Sequence, residues 1–167
     1  MDDLMAAARA ASRATMIKKR EEWTEEFVSR NLEVYDKADE SVLYFIADFL
    51  YHGVPDIELE DSAESIRSTF RAGYCYYFAH MLKQAFNRGE VCWAAPIGHI
   101  VWVDVDGTPY DIEGINESDC EFYIPERYLE GHVDDFKHVR GKVFNATREQ
   151  LDEVITKYKQ DNSIKED

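Results

Sequence analysis

Hydrophobic and polar residues recur with the period of an α-helix over the first part of the chain. Residues 2–35 contain no glycine or proline, which favours one long helix. Its apolar residues follow three- and four-residue spacings: Trp23, Phe27, Val28 and Leu32. Before Trp23 this stripe is weak, so we expect the first twenty residues to contribute little to the core. A second helix is predicted from about Ser41 until Gly53 and Pro55 stop it.

The period of the pattern changes to two in the middle of the chain. A helix is predicted from about Cys75 to Phe86, and the alternation typical of a strand begins at Val91. The Asp106-Gly107 pair is a strong hairpin signal. Four shorter elements are also predicted: a helix over 61–70, a helical turn after Pro125, a strand over 139–144, and a last helix from a capping box at Thr147 to about Gln160. Helices followed by strands indicate an α+β fold rather than a parallel α/β fold.

The length of 167 residues predicts a single domain with flanking segments. We expect an N-terminal helical extension over residues 1–35, one domain over 36–162 and a loose tail over 163–167. Asp and Glu outnumber Lys and Arg by 34 to 19, so the net charge of −15 repels nucleic acid. Because no apolar run approaches the ~18 residues of a membrane span, no membrane contact is expected either.

Cysteine usage indicates a reducing setting. The chain has three cysteines: Cys75, Cys92 and Cys120. They are odd in number, irregularly spaced and outside any C-x-x-C pair, which argues against a disulfide framework. His132 and His138, near Asp134 and Asp135, do not follow a spacing typical of metal ligands. We therefore expect a cytoplasmic protein that uses neither a metal nor a cofactor.

Candidate chemistry lies between residues 73 and 113. The pattern places Cys75 on the first turn of a helix, two residues after Gly73, where backbone N–H groups and the positive end of the helix dipole favour a thiolate. His99, at the head of a strand, could accept the thiol proton. An acid on the next strand could then hold the imidazole in the required tautomer.

Asp111 and Glu113 are both candidates for that acid, because they lie on the same face of the predicted strand. A two-residue turn at Asp106-Gly107 would put His99 on the opposite face from Asp111. A three-residue loop over 105–107 would instead set His99 opposite Glu113 and diagonal to Asp111.

The motifs around these residues resemble those of a known family. The stretch Gly73-Tyr-Cys75-Tyr-Tyr-Phe-Ala79 matches the pattern G-x-C-x-x-[FY]-A. His99 with Trp102 and Asp104 loosely matches an H-x-W-x-E strand, although Trp102 lies one residue later than in the family. Over about residues 62–115 the chain is therefore similar to the transglutaminase-like branch of the papain-like cysteine peptidases.

The resemblance implies a fold, a triad and an activity. The fold would be a papain-like core with N-terminal helices packed on a small antiparallel sheet. Cys75 would be the nucleophile, His99 the base and Asp111 the orienting acid, because family members with a short Asp-Gly turn carry their Asp a few residues after the Gly. The backbone N–H of Cys75 would be one oxyanion donor, whereas residues 67–71 offer no Gln or Asn for the second.

These observations lead to three functional hypotheses. The first is a cysteine-dependent hydrolase or acyltransferase that acts on peptide, isopeptide or amide bonds of a peptide or protein substrate through Cys75, His99 and Asp111. The second is a catalytically inactive papain-like domain that binds a partner protein through its acidic surface. The third, which rests on size and charge alone, is a small acidic inhibitor or regulator from a mobile element.

Other residues in this region have structural interpretations. Cys92 and Cys120 are expected to be packing residues, because cysteine is among the most buried residue types. Cys92 follows the strand-like Val91, so it could also border the site. His80 is expected to be a surface or core histidine. An aromatic cluster is expected either in the core or as the wall of a substrate groove: Tyr74, Tyr76 and Tyr77.

Overall fold

The computed structural model describes residues 2–52, 59–72, 74–132 and 146–163. The chain divides into two compact units, Met1–Arg67 and Ser68–Asp167. The predicted division at residue 36 stays a prediction. The predicted strand over 139–144, the helix stop at 53–55 and the last four residues of the predicted tail lie outside the described residues.

The first unit contains α1 (Asp2–Val34), α2 (Glu40–Tyr51) and most of α3 (Leu59–Ala72). No residue of α1 from 2 to 23 is buried, as the weak early stripe predicted. The later part of the helix contributes four buried side chains: Thr24, Phe27, Val28 and Asn31.

α2 packs along the later part of α1 and closes a small core. Its N-cap is Asp39, whose side chain accepts a hydrogen bond from the Ser41 N–H at 2.9 Å. At the other end, the Tyr51 ring meets the rings of Trp23 and Phe27 edge-on, with centroids 5.5 and 6.5 Å away. The second predicted helix is thus confirmed, and its aromatic end fixes where α1 begins to be buried.

The second unit packs one helix on a small sheet. The helix is α4 (Cys75–Phe86), and the strands are β1 (Glu90–Ala95), β2 (Ile100–Val103), β3 (Pro109–Asp111), β4 (Gly114–Ile115) and β5 (Phe122–Pro125). The strand order is β4-β3-β2-β1-β5, with every pair antiparallel. α4 packs on β1, β2 and β3, which buries Trp93, Trp102 and Tyr110 completely. The predicted α+β class is confirmed, whereas a papain-like core is not.

The β2–β3 hairpin has a three-residue loop. Trp102 pairs with Tyr110 and Val103 with Pro109, and the Asp104 N–H donates to the Thr108 carbonyl at 2.9 Å. This register is the one that brings residue 99 diagonal to residue 111. A two-residue turn, which the Asp-Gly pair by itself favours, is not formed.

A long-range ion pair accounts for the longer loop. The Arg88 guanidinium donates to both carboxylate oxygens of Asp104, at 2.7 and 2.9 Å. This bidentate pair fixes the end of β2 one residue before the chain turns. Gly107 then supplies a left-handed φ of +90°, which a residue with a side chain rarely adopts.

One predicted boundary was wrong, two strands were not predicted, and two further predictions are confirmed. α3 begins at Leu59, ahead of the predicted cap at Asp61, and the short strands β4 and β5 were not predicted. A 3-10 helix (Glu126–Leu129) follows Pro125, as expected. The last helix, α5 (Arg148–Asp161), begins with the predicted capping box of Thr147 and Gln150. None of the helices within the described ranges has the length and apolarity needed to cross a membrane.

Candidate active site

Cys75 is the first residue of α4 and lies against β2. Its side chain is buried, with 2% of the residue exposed, and Sγ accepts a hydrogen bond from the Ile100 N–H at 3.3 Å. The positive end of the helix dipole and this N–H both favour negative charge on the sulfur. The preceding Gly73 lies outside the described residues.

His99 lies at the start of β2, between Cys75 and the acid on β3. Its Nε2 is 2.8 Å from Oδ2 of Asp111, and the side chain is 13% exposed. Because a carboxylate only accepts, Nε2 carries a proton. Nδ1 is therefore the nitrogen left for the sulfur, and in the neutral ring it is an acceptor.

The protonated form of His99 is strongly favoured. Burial lowers the pKa of His99, but hydrogen bonds with Asp111 and Cys75 and the negative charges of both raise it to about 9. Near neutral pH the imidazole in this pocket therefore holds two protons. Such a ring pairs with a thiolate rather than with a neutral thiol.

Asp111, rather than Glu113, meets His99. Asp111 ends β3, and its second oxygen, Oδ1, accepts from the Glu113 N–H at 2.8 Å, so both oxygens of the buried carboxylate are fixed. The Glu113 side chain turns to Arg71 at 3.6 Å. The structure thus brings Cys75, His99 and Asp111 together, while their catalytic roles stay predictions.

The remaining residues of the sequence motif have structural contacts. Asp104 is bound by Arg88, and the Trp102 indole N–H donates to the Arg88 carbonyl at 2.8 Å. Cys92 donates to the Glu90 carbonyl at 3.7 Å. Burial first, and the Glu90 charge second, raise the pKa of Cys92 to about 12. Cys92 is therefore a protonated packing residue.

The other predicted candidates lie apart from the triad partners or outside the described ranges. His80 Nε2 is 3.0 Å from Oε1 of Glu126, and the same oxygen accepts from the Tyr76 hydroxyl at 2.7 Å. His132 Nδ1 is 3.5 Å from the Gln150 amide, while His138, Asp134 and Asp135 are outside the described residues. Within those residues, no group of three or more His, Cys, Asp or Glu side chains could hold a metal ion.

Two neighbours of the triad were not found by sequence reasoning. The Ile100 N–H is a main-chain donor, and no side-chain signal marks such a group. Tyr123 lies on β5; burial and a hydrogen bond with Cys120 raise its pKa to about 12, with a smaller contribution from the Asp111 charge. Its hydroxyl also accepts from the Asn116 amide at 3.2 Å. Tyr123 was missed because its strand, β5, was not predicted from the sequence pattern.

The arrangement brings a cysteine, a histidine and a carboxylate into hydrogen-bonded contact. The fold and the site together define an α+β protein with a buried Cys-His-Asp group at the start of a helix. The family model for Phage YunG-like protein matches residues 46–156, which is more than half of the chain and includes Cys75, His99 and Asp111. The chain belongs to this Phage YunG-like family.

This match corrects the earlier expectation of family membership. The chain is not a member of the transglutaminase-like branch of papain-like cysteine peptidases, and the expectation of a thiol protease that came with that resemblance loses its support. No curated protein and no solved structure matches the chain. The short motifs around Cys75 and His99 were therefore not specific enough to identify a family.

Proposed function

We propose that the chain is a cysteine-dependent hydrolase or acyltransferase that acts on amide bonds through Cys75, His99 and Asp111. One observation carries the proposal: the His99 ring is bonded on one side to Asp111, at 2.8 Å, and on the other side to Cys75. A packing cysteine needs no such base, and a surface histidine needs no buried carboxylate.

The reaction has two halves. Sγ attacks the carbonyl carbon of the amide, and the thiol proton resides on Nδ1 of His99. When the tetrahedral intermediate collapses, the C–N bond breaks, His99 gives this proton to the departing amine, and a thioester remains on Cys75. Water or an amine then attacks the thioester carbon and gives a proton to His99. The S–C bond then breaks, which restores the thiolate beside the protonated imidazole, and the product is an acid or a new amide.

Each group around the sulfur and the imidazole has a separate role in this reaction. Asp111 holds the Nε2 proton and stabilises the imidazolium, and the Glu113 N–H in turn holds Asp111 at 2.8 Å. The Ile100 N–H stabilises the thiolate before attack. The proposed substrate is a peptide or protein, in which amide bonds link the residues. Neither nucleic acid, a membrane nor a cofactor has a part in the proposal. A papain-like core likewise remains a proposal about architecture and is separate from family membership.

A comparison of the reactivities of the three thiols tests this function. The wild-type protein is treated with limiting iodoacetamide at pH 7, and labelling of Cys75, Cys92 and Cys120 is measured by mass spectrometry over time. We expect Cys75 to react first because only the thiolate is nucleophilic. A Cys75→Ser variant is the matched control and should lose the fast phase alone. Labelling of Cys75 no faster than that of the other two would overturn the proposal.

One observation favours a second function. Cys75 is only 2% exposed, so a substrate reaches the sulfur only if its cover opens. If labelling of Cys75 is slow in the folded protein but fast after unfolding, the site is sealed. The chain is then a catalytically inactive, acidic protein-binding module, whose binding a Cys75→Ser substitution would leave intact.

A further inference from the structure

The exposed aromatic surface of the second unit is concentrated beside Cys75. Among the described residues of this unit, three large apolar side chains are exposed: Tyr74, Tyr77 and Val105. Tyr74 directly precedes the cysteine, and Tyr77 lies on the first turn of α4. Their exposed fractions are 38% and 46%, against 8% for Tyr76. The predicted aromatic cluster is thus divided between one core residue and two surface residues.

Tyr74 and Tyr77 form a defined pair. Their ring centroids are 5.8 Å apart at an angle of 38°. Side chains on a helix point back toward its N-terminus, which carries the Tyr77 ring toward Tyr74 and the start of α4. The Tyr77 ring also packs edge-on against Tyr76 at 5.6 Å, and Tyr76 is anchored by its hydroxyl on Glu126 at 2.7 Å. The two exposed rings therefore rest on a fixed support.

The charge of the second unit indicates what these rings would bind. Residues 104–121, which include Asp111, contain seven acids and no Lys or Arg. Four of these acids are exposed: Asp106, Glu117, Asp119 and Glu121. Arg71, the basic residue nearest to the pair along the chain, is engaged with Glu113 at 3.6 Å. A cation approaching this acidic unit is attracted by its field.

We propose that the Tyr74–Tyr77 pair binds the cationic side chain, arginine or lysine, of a polypeptide whose neighbouring carbonyl group reaches Cys75. The inference rests on the proposed function and adds its substrate class. A cation over a tyrosine face within about 6 Å is stabilised by the ring quadrupole. The chain already uses this contact elsewhere, with Arg127 5.2 Å from the Tyr128 centroid and Arg67 5.5 Å from that of Tyr51.

Two reagents with the same reactive group test the proposal. Iodoacetyl-arginine amide and iodoacetyl-citrulline amide differ in charge but hardly in shape. The rate constant of each at Cys75 is divided by its rate constant with N-acetylcysteine, which removes intrinsic reactivity. Opening of the buried sulfur is common to both reagents and cancels in the ratio. We expect wild type to favour arginine, and Tyr74→Leu and Tyr77→Leu each to reduce that preference by about twofold to fivefold.

The matched control is Tyr44→Leu, because Tyr44 is 37% exposed but lies on α2 in the first unit. It should keep the full arginine preference. Equal labelling by both reagents in wild type, or an unchanged preference in both leucine variants, would overturn the proposal. Faster labelling by iodoacetyl-phenylalanine amide would overturn the cationic assignment in favour of an aromatic one.

A binding measurement separates this proposal from the proposed function. Acetyl-arginine amide and acetyl-citrulline amide are titrated into the Cys75→Ala protein, and the ring signals of Tyr74 and Tyr77 are followed by NMR. Shifts with the arginine compound alone support the pair as a cation site even if Cys75 proves unreactive. Absence of such shifts while Cys75 remains the fast thiol would reject the pair and leave the proposed function standing.

Discussion

Cys75 and Cys92 are both buried thiols in the second unit, yet their partners have opposite polarity. The sulfur of Cys75 accepts from the Ile100 N–H and meets the His99 ring. The sulfur of Cys92 donates to the Glu90 carbonyl, and burial together with the Glu90 charge raises the pKa of Cys92 to about 12. Burial alone thus does not decide whether a thiol is inert. The groups that surround it favour either the thiolate or the thiol.

The largest effect expected from this contrast is on alkylation. His99→Ala removes the base and the positive charge beside Cys75, so the iodoacetamide rate constant of Cys75 at pH 7 should fall by about 10²-fold. The rate at Cys92 should not change. His80→Ala is the matched control, since His80 contacts Glu126 instead. An unchanged rate at Cys75 in His99→Ala would show that His99 does not make the Cys75 thiol more reactive, and the contrast with Cys92 would fail.

The raised pKa of His99 also predicts how stability depends on pH. The pKa rises from 6.5 to about 9 on folding, so the folded state holds the proton more tightly. This contribution of His99 is complete below pH 6.5 and is lost progressively as the pH rises to about 9, by up to ~3 kcal/mol, while the proton that Cys75 gives up on folding offsets part of it. Urea denaturation at intervals between pH 6 and 9.5 measures it. If the free energy of unfolding of His99→Gln falls with pH by the same amount, the pH dependence comes from other groups.

The choice of acid gives a smaller, more local effect. Asp111→Asn should lower the pKa of His99 by about one unit or more, because the carboxylate favours the charged ring. Glu113→Gln keeps the backbone N–H that holds Asp111 and should leave the pKa of His99 nearly unchanged. NMR titration of the imidazole ring distinguishes the two. A larger shift in Glu113→Gln would transfer the role of orienting acid to Glu113.

The smallest effect belongs to Cys92 itself. Cys92→Ala removes one buried sulfur atom from packing and should lower the free energy of unfolding by about 1 kcal/mol. Alkylation of Cys75 should be unaffected. Urea denaturation and mass spectrometry measure the two quantities on the same sample. A slower reaction at Cys75 in this variant would show that the two thiols are coupled.

Local signals predicted the elements that form local structure. The Thr147 capping box, the stop-free stretch of α1 and the helix that begins at Cys75 each depend on residues within one or two turns. β4 has only two residues, too few for a period-two pattern, and the four residues of β5, Phe122–Pro125, do not alternate between apolar and polar side chains. The hairpin loop depended on Arg88, which reaches Asp104 from sixteen residues away.

The sequence allowed the three residues of the candidate site to be predicted, but not their further contacts or their burial. The order of cysteine, histidine and acid already suggested that Cys75, His99 and Asp111 meet. The residues alone left both Asp111 and Glu113 open, whereas in the structure Asp111 meets His99 and Glu113 lies 3.6 Å from Arg71, forty-two positions earlier in the chain. The burial of the Cys75 sulfur could not be predicted either, because the same short motif is compatible with an open groove or a closed pocket. The motif suggested a family that the chain does not belong to, since a few residues around a nucleophile can recur in unrelated sequences.

The hydrogen bond from Ile100 to the sulfur makes the amide proton of that residue a spectroscopic reporter. Its chemical shift depends on the charge of the acceptor 3.3 Å away, so one peak in a nitrogen–proton spectrum follows the thiolate as it is titrated or alkylated. Its exchange with solvent follows the opening of the same pocket. The reactive state and the accessibility of Cys75 can thus be observed in the resting protein, with no substrate at hand.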